Sequence, residues 1–239
     1  MGAAEPGEVR GPAGVSLHLD RVSRSFETEA GWVPVLSEVS FDAAAGEALS
    51  VVGPSGAGKS TLLHLLGTLD RPTSGKLEIG GQDPYALAEA ELARFRNRTV
   101  GFVFQDHHLL PQYSLLENVL LPTLAFPPRS GEERSEDRAR RLLERVGLSH
   151  RLDHRPAQLS GGERQRTAIA RALIRAPGLV LCDEPTGNLD RATAGEVTDL
   201  LFELHGQEGN TLVVITHSLE LAERCPRRLE LRDGRCVAA

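Results

Sequence analysis

The stretch Leu159-Ser-Gly-Gly-Glu-Arg-Gln-Arg166, followed by a helical run and then by Leu179-Val-Leu-Cys-Asp-Glu-Pro-Thr-Gly-Asn-Leu-Asp190, decides how the rest of the chain is read. Its first half offers a hydroxyl and two glycines where a helix opens. There, free backbone N–H groups and the helix dipole can meet an anion. Its second half is an apolar strand, Leu179–Cys182, ending in two adjacent carboxylates, Asp183 and Glu184. Carboxylates at a strand end can hold Mg2+ and orient a water. Neither half alone names an activity.

Both halves gain meaning from Gly53-Pro-Ser-Gly-Ala-Gly-Lys-Ser60, which fits the phosphate-loop pattern G-x-x-x-x-G-K-[ST]. It stands between an expected strand, 46–52, and an expected helix, 59–69, whose Leu62, Leu63, Leu65, Leu66 and Leu69 are predicted to enter the core. Gly53, Pro54, Ser55, Gly56, Ala57 and Gly58 form a loop whose backbone N–H groups can wrap the β- and γ-phosphates of a nucleotide. Lys59 adds a compact cation, Ser60 is the predicted Mg2+ ligand, and Thr61 completes the nucleotide-binding run. Within this frame Asp183 is expected to hold Mg2+ and Glu184 to polarise the attacking water. His217 follows a strand predicted over Thr211–Ile215 and can reach a γ-phosphate. Gln105, at the end of an expected strand Val100–Phe104, can touch both Mg2+ and the water.

Composition narrows the class. With 239 residues, 40% hydrophobic and 25% charged, the chain has enough material for a buried core and an ordinary globular balance. A net charge of −6 argues against a dedicated nucleic-acid face. Lysine occurs only at positions 59 and 76. Three cysteines, Cys182, Cys225 and Cys236, show no metal-like spacing and fit a reducing compartment. Neither a membrane-spanning apolar run nor a signal-peptide pattern is present, so the expectation is a cytosolic chain whose membrane work goes through partners.

Taken in order, residues 1–14 read as a disordered Gly/Pro/Ala tail. Runs at 16–22 and 33–41 read as antiparallel strands flanking the nucleotide site, with a further strand at 76–79 and a short helix from 89 to about 96. Helices are expected over 115–121, 132–146 and 161–175, with 122–128 as a Pro-rich break and 150–158 as a turn. Ala139, Leu142, Leu143 and Val146 share one face of the middle helix, opposite many charges. A helix over 192–205, another over 218–223 and a closing hairpin around Arg232-Asp-Gly-Arg235 follow. The domain expectation is an α/β core over 15–105 and 157–237. A helical subdomain is inserted at about 106–156, and the whole domain spans 15–237.

The order and spacing of Gly53–Ser60, Gln105, Leu159–Gln165, Leu181–Glu184, Asn188-Leu-Asp190 and His217 resemble those of an ABC transporter ATPase subunit, over nearly the whole chain. The resemblance implies the P-loop NTPase fold of ABC ATPases, a RecA-like core with an antiparallel β flank and an inserted helical subdomain. It implies ATP and Mg2+ as cofactors and a head-to-tail homodimer. In that dimer Lys59 of one copy and Ser160, Gly161, Gly162 and Glu163 of the other enclose each ATP, and Asp190 joins the nucleotide set. Phe26 matches the position that stacks on adenine, where the family usually has Tyr, so the ring remains and a hydroxyl is lost.

Leu62-Leu-His-Leu-Leu-Gly-Thr-Leu-Asp70, Arg71-Pro-Thr-Ser-Gly75, Gly101-Phe-Val-Phe-Gln-Asp-His-His-Leu-Leu-Pro111 and Leu115-Leu-Glu-Asn-Val-Leu-Leu-Pro122 sharpen the resemblance. They look like the group that contains the lipoprotein-releasing ATPases of the LolD type and the ATPase parts of MacB-type macrolide exporters. That group implies a peripheral place on the cytoplasmic face of the inner membrane. It also implies docking on membrane-spanning subunits, expected here near residues 105–122 with Leu109, Leu110 and Tyr113 as the exposed wall. Lipoprotein release is the first reading of the cargo, with peptide or drug efflux or cell-division signalling as the alternative. A non-transport ABC ATPase is disfavoured, because such chains typically carry two nucleotide domains, a long coiled-coil insertion or a basic face.

Overall fold

The structure, a computed structural model, describes residues 14–29, 31–126 and 133–238. The chain enters through β1 (Leu17–Thr28) and β2 (Gly31–Ala43), then runs through β3 (Ala48–Val52), α1 (Lys59–Leu66) and β4 (Ser74–Ile79). α2 (Glu89–Thr99) and β5 (Val100–Phe104) lead into three helices, α3 (Leu115–Leu124), α4 (Ser135–Arg145) and α5 (Gly161–Leu173). β6 (Leu179–Asp183), α6 (Arg191–Glu208), β7 (Thr211–Ile215), α7 (Leu219–Glu223), β8 (Arg227–Arg232) and β9 (Arg235–Ala238) complete it.

The strands form two sheets. An antiparallel sheet has the order β2-β1-β4, and a larger sheet has the order β5-β6-β7-β3-β8-β9. All neighbours in the larger sheet run parallel except the closing hairpin β8–β9. Parallel strands covered on both faces are buried nearly throughout and read as near-continuous apolar runs. β6 and β7 show this, since each of their residues from 179 to 182 and from 211 to 215 is buried. Their side chains divide at period two. Leu179, Leu181, Val213 and Ile215 join α1 and the antiparallel sheet in one core. Val180, Cys182, Leu212 and Val214 join residues of α3, α4, α5 and α6 in the other. Cys182 is thus a packed strand residue, and its thiol is pushed far up by burial. The helical segment shares its apolar core with the sheet and does not close on itself.

Several predicted boundaries shift, each for a local reason. Residues 1–13 of the predicted tail lie outside the described residues, while Gly14 is held by its N–H donating to Gly209 O at 3.0 Å. α1 stops at Leu66, where Thr68 turns to φ 55, so Leu69 is 48% exposed instead of entering the core. α2 extends past the predicted end to Thr99. The helix predicted over 132–146 begins at Ser135, with residue 132 outside the described set. α3 runs through Pro122 to Leu124, although a break was expected there. Pro122 has no N–H to donate within the helix, and its carbonyl is held from outside, accepting from Asn97 Nδ2 at 2.9 Å.

α4 is fastened to the core by charge as well as by Ala139, Leu142 and Leu143. Arg138 donates to the carbonyls of Leu173 and Ile174 at 3.0 Å each and to Glu208 at 3.2 Å, and Arg145 also pairs with Glu208. Burial pushes the Glu208 carboxyl up, but Arg145 and Arg138 outweigh it and hold the group below the usual glutamate range. The pairing therefore stabilises the fold fully above that range, and the contribution is lost as pH falls through the depressed folded value. Glu208→Ala leaves two guanidinium groups without their carboxylate. It is expected to lower the unfolding free energy by about 2–3 kcal/mol at pH 7. Urea denaturation at pH 7 and at acid pH checks this, since the difference from the parent shrinks on acidification.

Candidate nucleotide site

In an open parallel sheet, ligands bind at the carboxyl ends of the strands. Here β3 is followed by Gly53, β5 by Gln105 and β7 by Thr216–His217, while β6 ends in Asp183 with Glu184 next. A cleft of about 430 Å³ opens at that edge, lined by Val35, Ser55, Gly56, Gly58, Lys59, Ser60, Thr61, Gln105, Asp183 and Glu184. The loop from Gly53 to Gly58 turns directly into α1. Gly58 caps the helix with φ 98, and a Cβ there would lie 2.8 Å from Leu36 Cδ2 and 2.9 Å from Val35 O. Both the left-handed backbone and the close approach of β2 require glycine at this position. Lys59 Nζ bonds to the carbonyls of Gly53 at 2.8 Å and Pro54 at 2.9 Å, which folds the ammonium over the loop. Ala57 of the loop is buried.

Asp183 and Glu184 serve different surroundings although they are adjacent. Burial lifts the Asp183 carboxyl above its ordinary range against the pull of the Ser60 hydroxyl, and the Glu184 charge adds to the rise. Glu184 turns away from the strand path with φ 46, a left-handed conformation that costs a side-chain-bearing residue on the order of 1–3 kcal/mol. Its N–H donates to Ile215 O at 2.9 Å, and the turn carries the carboxylate to the end of β7. There Oε2 accepts from Thr216 Oγ1 at 3.1 Å and from the His217 backbone N–H at 3.2 Å. His217 Nδ1 stands 2.8 Å from Oε1. A carboxylate only accepts, so Nδ1 carries the proton and Nε2 is the free end of the exposed ring.

Gln105 is joined to Asn188, with Nε2 donating to Asn188 Oδ1 at 2.9 Å. The turn after Gln105 is fastened to α5. Arg171 donates to the carbonyls of His107 and His108 at 2.6 Å each, Gln165 Nε2 donates to Phe104 O at 3.3 Å, and His107 Nδ1 meets Gln165 Oε1. Burial lowers the His107 pKa against the pull of the hydrogen bond to Gln165.

The opening of α5 stands apart from the cleft. Ser160 Oγ accepts from Glu163 N at 3.2 Å, and Glu163 Oε2 accepts from Ser160 N at 2.8 Å, a reciprocal capping box. Arg151 pairs with Glu163 at 3.3 Å. A Cβ on Gly162 would stand 2.5 Å from Thr193 Cγ2, so this glycine is also demanded by the packing of α5 on α6. Ser160, Gly161, Gly162 and Glu163 are not among the residues lining the cleft. Asp190 accepts from the backbone N–H groups of Ala192 and Thr193 and from Thr193 Oγ1, and so caps α6. Phe26 is also outside the lining residues. It pairs on β1 with Val33 of β2, is 38% exposed, and carries the Arg24 guanidinium 4.4 Å from its ring centroid.

A profile of the ABC transporter family matches residues 36–187. The chain belongs to the ABC transporter family. As an ATP-binding cassette of that family it is an ATPase, and ATP is its nucleotide. It is 52% identical to "Lipoprotein-releasing system ATP-binding protein LolD 1" of Rhodopirellula baltica, over 92% of this chain and 96% of that protein. It is 55% identical to "Lipoprotein-releasing system ATP-binding protein LolD 2" of Rhodospirillum rubrum, over 90% of this chain and 93% of that protein. Among solved structures it resembles the bacterial ABC transporter cassette MJ0796 in a dimeric form, with 38% identity, a TM-score of 0.83 and coverage of 92% of this chain and 96% of that one. A second dimeric structure of MJ0796, bound to ADP and Pi after hydrolysis, gives a TM-score of 0.82 at the same identity.

Within this ABC cassette, sequence reading passed over Thr216, which braces Glu184, and Val35, which lines the cleft from β2. Neither carries a local motif. Asn188 was visible within Asn-Leu-Asp, but its partner lies 83 residues away.

Proposed function

We propose that this ATPase powers release of lipoproteins from the inner membrane towards a periplasmic carrier, working as a homodimer on the cytoplasmic face and bound to membrane-spanning subunits. The observation that carries the cargo is the likeness to lipoprotein-releasing LolD proteins at 50–55% identity over at least 86% of the chain. Among the described residues no helix is long and apolar enough to cross a membrane, which supports a peripheral place.

The cleft supports roles for the residues that line it, and the family resemblance supports those of Phe26 and His217, which do not. The loop from Gly53 to Thr61 wraps the phosphates, and Lys59 shifts its ammonium from the Gly53 and Pro54 carbonyls to phosphate oxygens. Ser60, Asp183 and Gln105 offer hydroxyl, carboxylate and carboxamide oxygens, hard donors that suit Mg2+. Among the described residues no group of three or more His, Cys, Asp and Glu could hold a metal by itself. That sparse set fits a cation that keeps phosphate oxygens and waters as its other ligands. Held by these residues, Mg2+ would supply positive charge against the phosphates. Glu184, held by Thr216 and His217, orients and deprotonates the attacking water. His217 contacts the γ-phosphate, and Phe26 stacks on the base. Ser160–Glu163 and Asp190, outside their own chain's cleft, complete the site of a second copy, as the dimeric form of the similar cassette MJ0796 supports.

A second cleft of about 450 Å³, lined among others by Phe102, Phe104, Pro122, Ala125 and Phe126, would seat a cytoplasmic helix of the membrane subunit in the helix-in-groove mode. It borders the 105–122 segment. Leu110 and Tyr113 are 39% and 38% exposed but are not among its lining residues, so they stand outside it.

The function is tested by co-expressing the chain with the membrane subunits it co-purifies with and reconstituting the complex in proteoliposomes. ATP-dependent transfer of an acylated lipoprotein to a soluble carrier is the expected result. Macrolide efflux without lipoprotein transfer would overturn the assignment.

A further inference from the structure

Asn188 makes three hydrogen bonds to the two residues that follow β5. Its Nδ2 donates to Asp106 Oδ1 at 2.9 Å and to Gln105 O at 3.3 Å, and its Oδ1 accepts from Gln105 Nε2 at 2.9 Å. The orientation of both amides follows from the chemistry of the partners. A backbone carbonyl and a carboxylate only accept, so the NH2 of Asn188 must face them. Its oxygen is then the end turned to Gln105, which must answer with its own NH2. One end of the Gln105 carboxamide is thereby occupied, and the oxygen is left as the end available in the nucleotide cleft. The contact is close as well as polar, since a Cβ on Gly187 would stand 2.9 Å from Gln105 Nε2.

We propose that Asn188 is a positioning residue which holds the Gln105 amide with its oxygen committed to the metal and water side of the nucleotide cleft. A carboxamide free to rotate presents oxygen or nitrogen to a cation, and only the oxygen binds. Asn188 removes the wrong orientation before nucleotide arrives. It also ties the turn 184–190, which carries Glu184 at one end and Asp190 at the other, to the segment that leaves β5. The inference rests on the metal role proposed above for Gln105.

The test uses Mn2+ as the probe, read by electron paramagnetic resonance on the full chain with saturating ATP in a Glu184→Gln background. Adding Asn188→Ala is expected to weaken Mn2+ affinity by about tenfold, the scale for losing a partner that orients a metal ligand, while ATP affinity in EDTA stays near the parental value. Asn188→Asp, of the same size, is expected to do worse, because its carboxylate faces Asp106 and the Gln105 carbonyl. Adding Asp106→Asn to it restores part of the affinity by returning an NH2 to the pair. In the parent background Asn188→Ala lowers kcat more than it raises KM. Unchanged Mn2+ affinity in Asn188→Ala, with Gln105→Ala still weakening it, overturns the positioning role and leaves the metal role standing. Unchanged affinity in Gln105→Ala overturns the metal role instead. An equal loss of metal-free ATP affinity in Asn188→Ala and Asn188→Asp overturns the inference, because it marks a structural role only.

Discussion

Glu184→Gln is expected to lower ATP turnover by about 10²–10⁴-fold, roughly 3–5 kcal/mol of barrier, while ATP still binds with near-parental affinity. The substitution keeps the size of the side chain and an oxygen able to accept from Thr216 Oγ1 and the His217 N–H, the two bonds that hold Oε2 at 3.1 and 3.2 Å. It removes the charge and the basic oxygen. It also sets an amide NH2 near His217 Nδ1, which stands 2.8 Å from Oε1. The variant should therefore accumulate as an ATP-loaded dimer, measurable by size-exclusion chromatography and single-turnover hydrolysis. Turnover near the parental rate would refute the role given to Glu184. Lys59→Ala provides the contrast, because it deletes the cation of the phosphate loop and should weaken nucleotide binding itself.

Ser160→Arg and Lys59→Ala, each inactive alone, should recover partial activity when mixed. Ser160 caps α5 and lines none of the cleft that Lys59 lines. In a head-to-tail dimer the mixed pair holds one site with both defects and one with neither. A quarter to a half of parental ATPase is the expected scale, on the order set by one working site in mixed dimers. The experiment needs a third arm, Ser160→Arg in the same chain as Lys59→Ala mixed with parental protein. There each site of the mixed dimer carries one defect, so the mixed dimers contribute nothing and only parental homodimers turn over. If each site were complete within one chain, the first mixture would stay as inactive as its parents while the third kept the full activity of its parental chains. Ser160→Arg also disturbs the capping box with Glu163, so its thermal midpoint must be measured beside its activity.

Much of this was written in local patterns. Glycines, a lysine and a hydroxyl at fixed spacing make a phosphate loop by backbone geometry, and an apolar run as short as Leu179–Cys182 fits a buried strand by its length. Resemblance then supplied the family, because its motifs are contiguous and ordered along the chain. The boundaries were less legible. Pro122 reads as a helix breaker, yet α3 continues through it to Leu124 with the Pro122 carbonyl held by Asn97, and Leu69 reads as core by period although α1 has already ended at Leu66.

What the chain determined by itself was the inventory of groups: a phosphate loop, two carboxylates at a strand end, a capped helix opening at Ser160, and a histidine and a glutamine each following a strand. What only the tertiary structure decided was which of these meet. Parallel pairing of β6 with β7 and β5 brings Thr216, His217 and Gln105 to the carboxylates, since adjacent strands end at the same edge of the sheet. The left-handed turn at Glu184 separates its carboxylate from that of Asp183, which its neighbour in sequence could not reveal. Asn188 clasps Gln105 across 83 residues, and the packing of α5 on α6 keeps Gly162 bare. These pairings depend on distance in space, and hydrogen bonds between residues far apart in sequence leave no period or spacing in the chain to be read.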